Sequence, residues 1–168
     1  MEERNGVVTF GGNPATLLGP EIKVGDKAPD FTVVDNSLQP VSLSNYDGVK
    51  LISVVPSLDT PVCDAQTRRF NEEASKLNAT ILTISVDLPF AQKRWCGAAG
   101  IDKVITLSDY QTMSFGSAYG TYIKGLRLEA RAIFVVNSKN EVTYVEYVKE
   151  VTDHPDYNQA LEAAKAAQ

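Results

Sequence analysis

The sequence predicts an α/β domain with a mixed central sheet flanked by helices and an N-terminal β-hairpin, on three observations. Two apolar, β-branched runs, residues 50–55 and 79–86, read as strands buried on both faces, the pattern of parallel strands inside a layered sheet. Each is followed by a stretch of helix formers that opens at a proline, Pro61 and Pro89. Two further β-rich runs, residues 130–136 and 141–148, flank an Asn-Ser-Lys-Asn turn and therefore pair antiparallel, which makes the sheet mixed.

In chain order, residues 7–10 and 15–18 stand on either side of a Gly-Gly-Asn-Pro turn at 11–14, a small hairpin within an extension spanning residues 1–25. Residues 31–34 and 41–43 form short strands separated by a turn near Asp35 and Asn36. The central strand at 50–55 is ended by Pro56. From Pro61 to about Leu77, Ala65, Phe70, Ala74 and Leu77 give a helix its apolar side, with Thr60 as N-cap and Pro61 at the first helical position. The second buried strand, 79–86, leads into a helix from Pro89 to Gly97 or Gly100. A short strand at 104–107 precedes residues 115–125, which read as part helix and part loop. The antiparallel hairpin follows, and behind a His154-Pro155 turn an alanine-rich helix covers 156–167. Alternating strands and helices closed by a hairpin and a last helix are the pattern of a thioredoxin-like fold, here one domain over residues 1–168 without linker or repeat.

Composition removes several functions. Sixteen Lys and Arg against 21 Asp and Glu leave a net charge of −5, so there is no basic field to gather nucleic-acid phosphates or anionic lipid. No apolar run approaches the roughly 20 residues of a spanning helix. The start of the chain, residues 1–6, lacks both the basic and the apolar regions of a secretory signal, which points to the cytoplasm. Two cysteines, Cys63 and Cys96, and one histidine, His154, are too few for a four-ligand zinc site made of these residues, so no structural metal is expected. His154, in a polar turn before a proline, is expected at the surface with no role.

Cys63 lies three residues after Thr60, inside the first turn of its helix, where unpaired N–H groups and the positive end of the helix dipole favour an anion. Such placement can lower a thiol pKa to about 3.5–7.5 from about 8.5, and the thiolate is the reactive form. The residues alone leave a second reading open, two buried structural thiols in a reducing compartment. Two other chemistries fail on spacing. Cys63 and Arg69 have the Cys-x5-Arg interval of cysteine phosphatases, but residues 64–68 hold no glycine to let amides converge and Asp64 repels a dianion. A Cys-x-x-Cys reductase needs a cysteine at the position of Gln66.

The order Pro56, Thr60, Cys63 between a strand and a helix resembles the peroxiredoxin signature. The runs 57–64, 66–71, 86–91 and 94–96 are similar to the thiol peroxidase subfamily, and the resemblance extends from about Gly6 to the C-terminus with no departure at these positions. It implies a thiol-dependent antioxidant peroxidase that reduces hydrogen peroxide and organic hydroperoxides without haem, metal or flavin. Cys63 would be the peroxidatic cysteine, whose thiolate attacks a peroxide oxygen and becomes a sulfenic acid. Thr60 would align the peroxide through its hydroxyl, and Pro56 would shield the sulfur from water. Arg131 would stabilise the leaving oxygen; Arg68, Arg69, Arg94 and Arg127 are the other arginines within consideration. Cys96, 33 residues beyond Cys63, would be the resolving cysteine of an intramolecular disulfide. Bridging needs Cα atoms within about 7 Å, and two helix-borne cysteines rarely start so close, so the first turn of the Cys63 helix is expected to unwind and Cys96 to move. The resemblance further implies thioredoxin as reductant and a homodimer. Phe90, Trp95, Phe115 and Tyr119 are candidates to line an apolar site, although a place in the core is the commoner role for such residues.

Overall fold

The computed structural model describes residues 1–168. Strands β1 (Glu3–Phe10) and β2 (Asn13–Leu18) form the expected hairpin, with Phe10 opposite Asn13 and the connecting Gly11 and Gly12 at φ of 60° and 84°, which only glycine adopts freely. Two short strands follow, β3 (Thr32–Val34) and β4 (Pro40–Ser42). Next come β5 (Val49–Val54), α1 (Pro61–Ala74), β6 (Ala79–Ser85), α2 (Pro89–Ala99) and β7 (Ile105–Ser108), two successive parallel β-α-β units. The chain continues through α3 (Ser114–Tyr119), β8 (Tyr122–Ile123), β9 (Leu128–Glu129), β10 (Ala132–Val136), β11 (Val142–Tyr147) and α4 (Tyr157–Ala166).

The main sheet has the order β11-β10-β5-β6-β7-β3-β4; β5, β6 and β7 run parallel and the other neighbours antiparallel, the mixed α/β sheet that the apolar runs imply. Alternate residues of each strand point to opposite faces. On one face Leu51, Ile81, Ile133 and Val135 meet Phe70 of α1 and Ala160, Leu161 and Ala164 of α4, with Trp95 and Ala99 of α2 at the margin. On the other, Ile52, Val54, Leu82, Ile84 and Phe134 pack against Phe31, Phe115 and Tyr119. β5, central and covered on both sides, is buried along its whole length. No helix is long and apolar enough to cross a membrane.

Two segments differ from the sequence expectation. α1 stops at Ala74 because Lys76 and Leu77 donate to the carbonyls of Glu73 and Ala74 at 3.0 and 3.1 Å, a tighter turn that tucks Leu77 into the core. Residues 115–125 resolve into α3 and β8. β8 pairs with β2 and β9, giving a second sheet of order β1-β2-β8-β9. Through this sheet Val8 and Leu17 of the hairpin share a small core with Ile123, Ala130 and Val151. Thr9 N–H donates to Lys149 O at 2.7 Å and Val151 N–H to Thr9 O at 2.8 Å, tying β1 to the segment after β11. This brings Phe10 beside the C-terminal end of β5.

Candidate active site

The buried strand β5 runs out at Pro56, and the loop 56–60 turns the chain into α1, whose first turn carries Cys63. Cys63 is fully buried, clustered with Val55 and Leu58 and covered in part by Trp95. In the antiparallel pair β10–β5, Ala132 lies opposite Val54, so the preceding Arg131 reaches the end of β5 beside this cysteine. The Arg131 side chain is 2% exposed. Its Nη2 donates to Cys63 Sγ at 3.1 Å, Nη1 to Gln66 Oε1 at 2.8 Å and Nε to the Val151 carbonyl at 2.8 Å. Neither Gln66 nor Val151 carries a charge, and no carboxylate pairs with the buried guanidinium.

Gln66 escapes sequence reasoning, since a glutamine in a helix ordinarily reads as a surface residue. It stands at i+3 from Cys63 and i−4 from Phe70, on the inward stripe of α1. There it bridges Arg131 to Ser53 of β5, donating from Nε2 to Ser53 Oγ at 2.7 Å. The available signal was a polar residue on the apolar side of an amphipathic helix.

Beside the Arg131 side chain lies a cavity of about 130 Å³ lined by Phe10, Pro56, Thr60, Pro61, Val62, Arg131, Val151 and Thr152. Thr60 is the N-cap residue by backbone, but its hydroxyl accepts no helix amide; it donates instead to Ser57 O at 3.1 Å, correcting the expectation of a side-chain cap. The hydroxyl oxygen of Thr60, a residue that lines the cavity, thereby keeps its lone pairs free to accept. Pro56 is buried and forms one wall.

No other arginine bonds Cys63. Arg68 pairs with Asp64 at 2.7 Å, donates to Ala99 O at 3.3 Å and lies over the Trp95 ring, while Arg69 lies over the Tyr157 ring. Arg94 is exposed, and Arg127 donates to Gln111 O at 3.4 Å. Of the aromatic candidates, Phe115 and Tyr119 are core residues stacked at 4.4 Å, and Phe90 is 66% exposed. Trp95 packs beside Cys63, and the aromatic wall of the cavity is Phe10 of the hairpin. His154 is exposed, its Nδ1 2.7 Å from Tyr157 Oη.

Cys96, half-buried on α2, is a free thiol, as is Cys63. Its sulfur lies 3.6 Å from Thr106 Oγ1 in a cleft shared with Asn36 and Ile101. Burial pushes this thiol's pKa up, and the Thr106 hydroxyl pulls it partly back.

Residues 23–161 match the family model described as Redoxin. Thiol peroxidases of Halalkalibacterium halodurans and Bacillus subtilis are 65% and 63% identical over 162 and 161 residues, covering 95% of this chain in both cases and 98% and 96% of the relatives. Among solved structures, a peroxiredoxin-like protein from Aquifex aeolicus matches with a TM-score of 0.91 at 38% identity over the whole of both chains. A thiol peroxidase from Chromobacterium violaceum matches at 0.81 and 25% identity over 90% of this chain and 91% of the other. With its thioredoxin-like sheet and these relatives, the chain belongs to the redoxin family and, within it, to the thiol peroxidases, oxidoreductases of the peroxiredoxin type.

Proposed function

We propose that Cys63 is the peroxidatic and Cys96 the resolving cysteine of a peroxidase that reduces hydrogen peroxide and organic hydroperoxides, with Thr60, Pro56 and Arg131 completing the site. The observation that carries this reading is the bond from Arg131 Nη2 to Cys63 Sγ, 3.1 Å long, made by an arginine that also lines the cavity walled by Pro56 and Thr60. The Cys63 thiolate attacks one peroxide oxygen; an S–O bond forms, the O–O bond breaks, and the other oxygen leaves as hydroxide or alkoxide and takes up a proton. Arg131, fixed from three sides, faces the charge that develops on the separating oxygens, and Thr60 Oγ1 accepts from the peroxide O–H. Pro56 and Phe10 keep bulk water from the sulfur.

Cys96 then attacks the sulfenic sulfur of Cys63, forming the disulfide and releasing water. The two sulfurs have separate neighbours, Arg131 for one and Thr106 for the other, which supports an opening of the first turn of α1 with movement of Cys96 in each cycle. A protein dithiol, thioredoxin, reduces the disulfide. The enzyme acts as a homodimer in the cytoplasm, in defence against peroxides. Intact-mass measurement after one equivalent of cumene hydroperoxide tests the assignment. The wild type is expected to lose about two mass units, Cys96→Ser to yield a trappable sulfenic acid, and Cys63→Ser to stay inert. Two unchanged thiols in the wild type would reject the reading.

A further inference from the structure

Asp87 stands at the junction of β6 and α2 and is held from behind. Ser108 Oγ donates to its carbonyl at 2.5 Å, its own N–H donates to Ser85 Oγ at 3.3 Å, and Gln92 Nε2 bonds both Ser85 Oγ and Leu107 O at 3.0 and 2.9 Å. The ends of β6 and β7 and the first turn of α2 thus form a fixed bracket around one carboxylate. From that bracket the carboxylate reaches across to the loop before α1. Oδ1 accepts from Ser57 Oγ at 2.6 Å, and Oδ2 accepts from Leu58 N–H at 2.8 Å and from Ser85 Oγ at 2.8 Å. Leu58 is buried in the same small cluster as Val55 and Cys63. The carboxylate therefore ties the root of the helix that bears Cys96 to the loop that covers Cys63.

We infer that Asp87 is a positioning residue: it clamps the 56–60 loop shut, and so sets both how well Cys63 meets peroxide and how readily its segment opens toward Cys96. The inference rests on the roles given above to the two cysteines. For Cys96 to displace water from the Cys63 sulfenic acid, the first turn of α1 has to leave its seat. Leu58, five residues earlier and packed on Cys63, is drawn with it against a charge-assisted hydrogen bond. The clamp accordingly favours the reduced, closed arrangement over the disulfide form.

Asp87→Asn keeps the shape but leaves one oxygen acceptor, and Ser57→Ala removes one donor while leaving Asp87 in place, a second route should the first variant fold poorly. In the reduced protein, amide exchange over residues 57–64 is expected to rise about tenfold in Asp87→Asn, the size of one charge-assisted hydrogen bond, with exchange in α4 unchanged. The midpoint potential of the Cys63–Cys96 couple should move to more reducing values, because only the reduced form loses the clamp. Followed through Trp95, the single tryptophan and a neighbour of Cys63, the peroxide step should slow and the resolving step quicken. Unchanged exchange at 57–64, or an unaltered potential beside a merely lowered melting temperature, would overturn the inference. Failure of the cysteine assignment is distinguishable, because it appears as unchanged thiols in the peroxide-treated wild type or as peroxide consumption by Cys63→Ser, whatever happens at Asp87.

Discussion

Arg131 presents each of its guanidinium nitrogens to a different residue: Nη2 to Cys63 of α1, Nη1 to Gln66 one turn on, and Nε to the carbonyl of Val151 beyond β11. A lysine would keep the charge and lose the fork. Arg131→Lys is therefore expected to lower the second-order rate with hydrogen peroxide by about 100-fold, as for loss of one preorganised donor, while the fold persists. Stopped-flow kinetics beside circular dichroism measures both; a rate within threefold of the wild type would mean charge alone suffices. Gln66→Ala leaves Arg131 Nη1 and Ser53 Oγ without their partner in a dry interior, at a cost of about 1–3 kcal/mol in thermal or denaturant unfolding. Its peroxide rate should fall less than that of Arg131→Lys, because two of the three bonds on the guanidinium persist. The spacing Pro56, Thr60, Cys63 was legible in the sequence, and Arg131 was singled out only by resemblance, since a charge at a strand start ordinarily reads as solvated. Gln66 was not legible, because its burial depends on which side of α1 faces β5 and β10.

At the scale of elements, the hairpin β1–β2 is the part whose bearing on the site the sequence least discloses. Glu150, just after β11, fastens its turn: the carboxylate accepts from Gly11 and Gly12 N–H at 3.1 and 2.8 Å and from Thr9 Oγ1 at 2.8 Å, and from Thr152 N–H and Oγ1 at 2.8 and 2.6 Å. The Thr152 hydroxyl first, then the Thr152 and Gly12 amides, hold this carboxyl well below the usual carboxylate range. A depressed folded-state value means that the latch contributes fully above the ordinary glutamate pKa of about 4.3 and is lost as pH falls through the lower folded one. Glu150→Gln is expected to speed amide exchange at Gly11 and Gly12 at pH 7, whereas the wild type loosens there only on strong acidification. With Phe10 freed from the cavity wall, KM for cumene hydroperoxide should rise more than KM for hydrogen peroxide. Equal exchange in both proteins would show that β1 docks through its backbone bonds alone. The long elements were readable because apolar runs and helical spacing repeat over many residues. β8 and β9, two residues each, have no period to read, and they exist because β2 offers an unpaired edge.

The whole molecule is joined at a buried acidic pair. Glu129, on β9 of the small sheet, is fully buried, and Thr121 Oγ1 donates to its Oε2 at 2.5 Å. Asp109, at the end of β7, accepts from Phe115 and Gly116 N–H at 3.0 and 2.8 Å and so fixes the start of α3 against the same carboxyl. A Cβ at Gly116 would lie 2.9 Å from Glu129 Oε2, so a larger residue there would have to displace the buried carboxyl. Burial above all, then the hydrogen bond and charge of Asp109, raise the Glu129 carboxyl well above its ordinary range, with Thr121 opposing. The folded protein thus keeps a proton that the unfolded chain releases above about pH 4.3. Where the folded state binds more protons, stability falls as pH rises; the loss begins near the unfolded value and continues up to the raised folded one. Glu129→Gln replaces the protonated acid by a neutral amide that can donate to Asp109 and still accept from Thr121. Its stability over the wild type should be greater by roughly 1–3 kcal/mol at pH 7–8 and vanish near pH 4. Thermal melts of both proteins between pH 4 and 8 decide the matter: curves that converge on acidification place the shared proton in the joint between the two sheets, and parallel curves would mean that Glu129 is ionised in the fold.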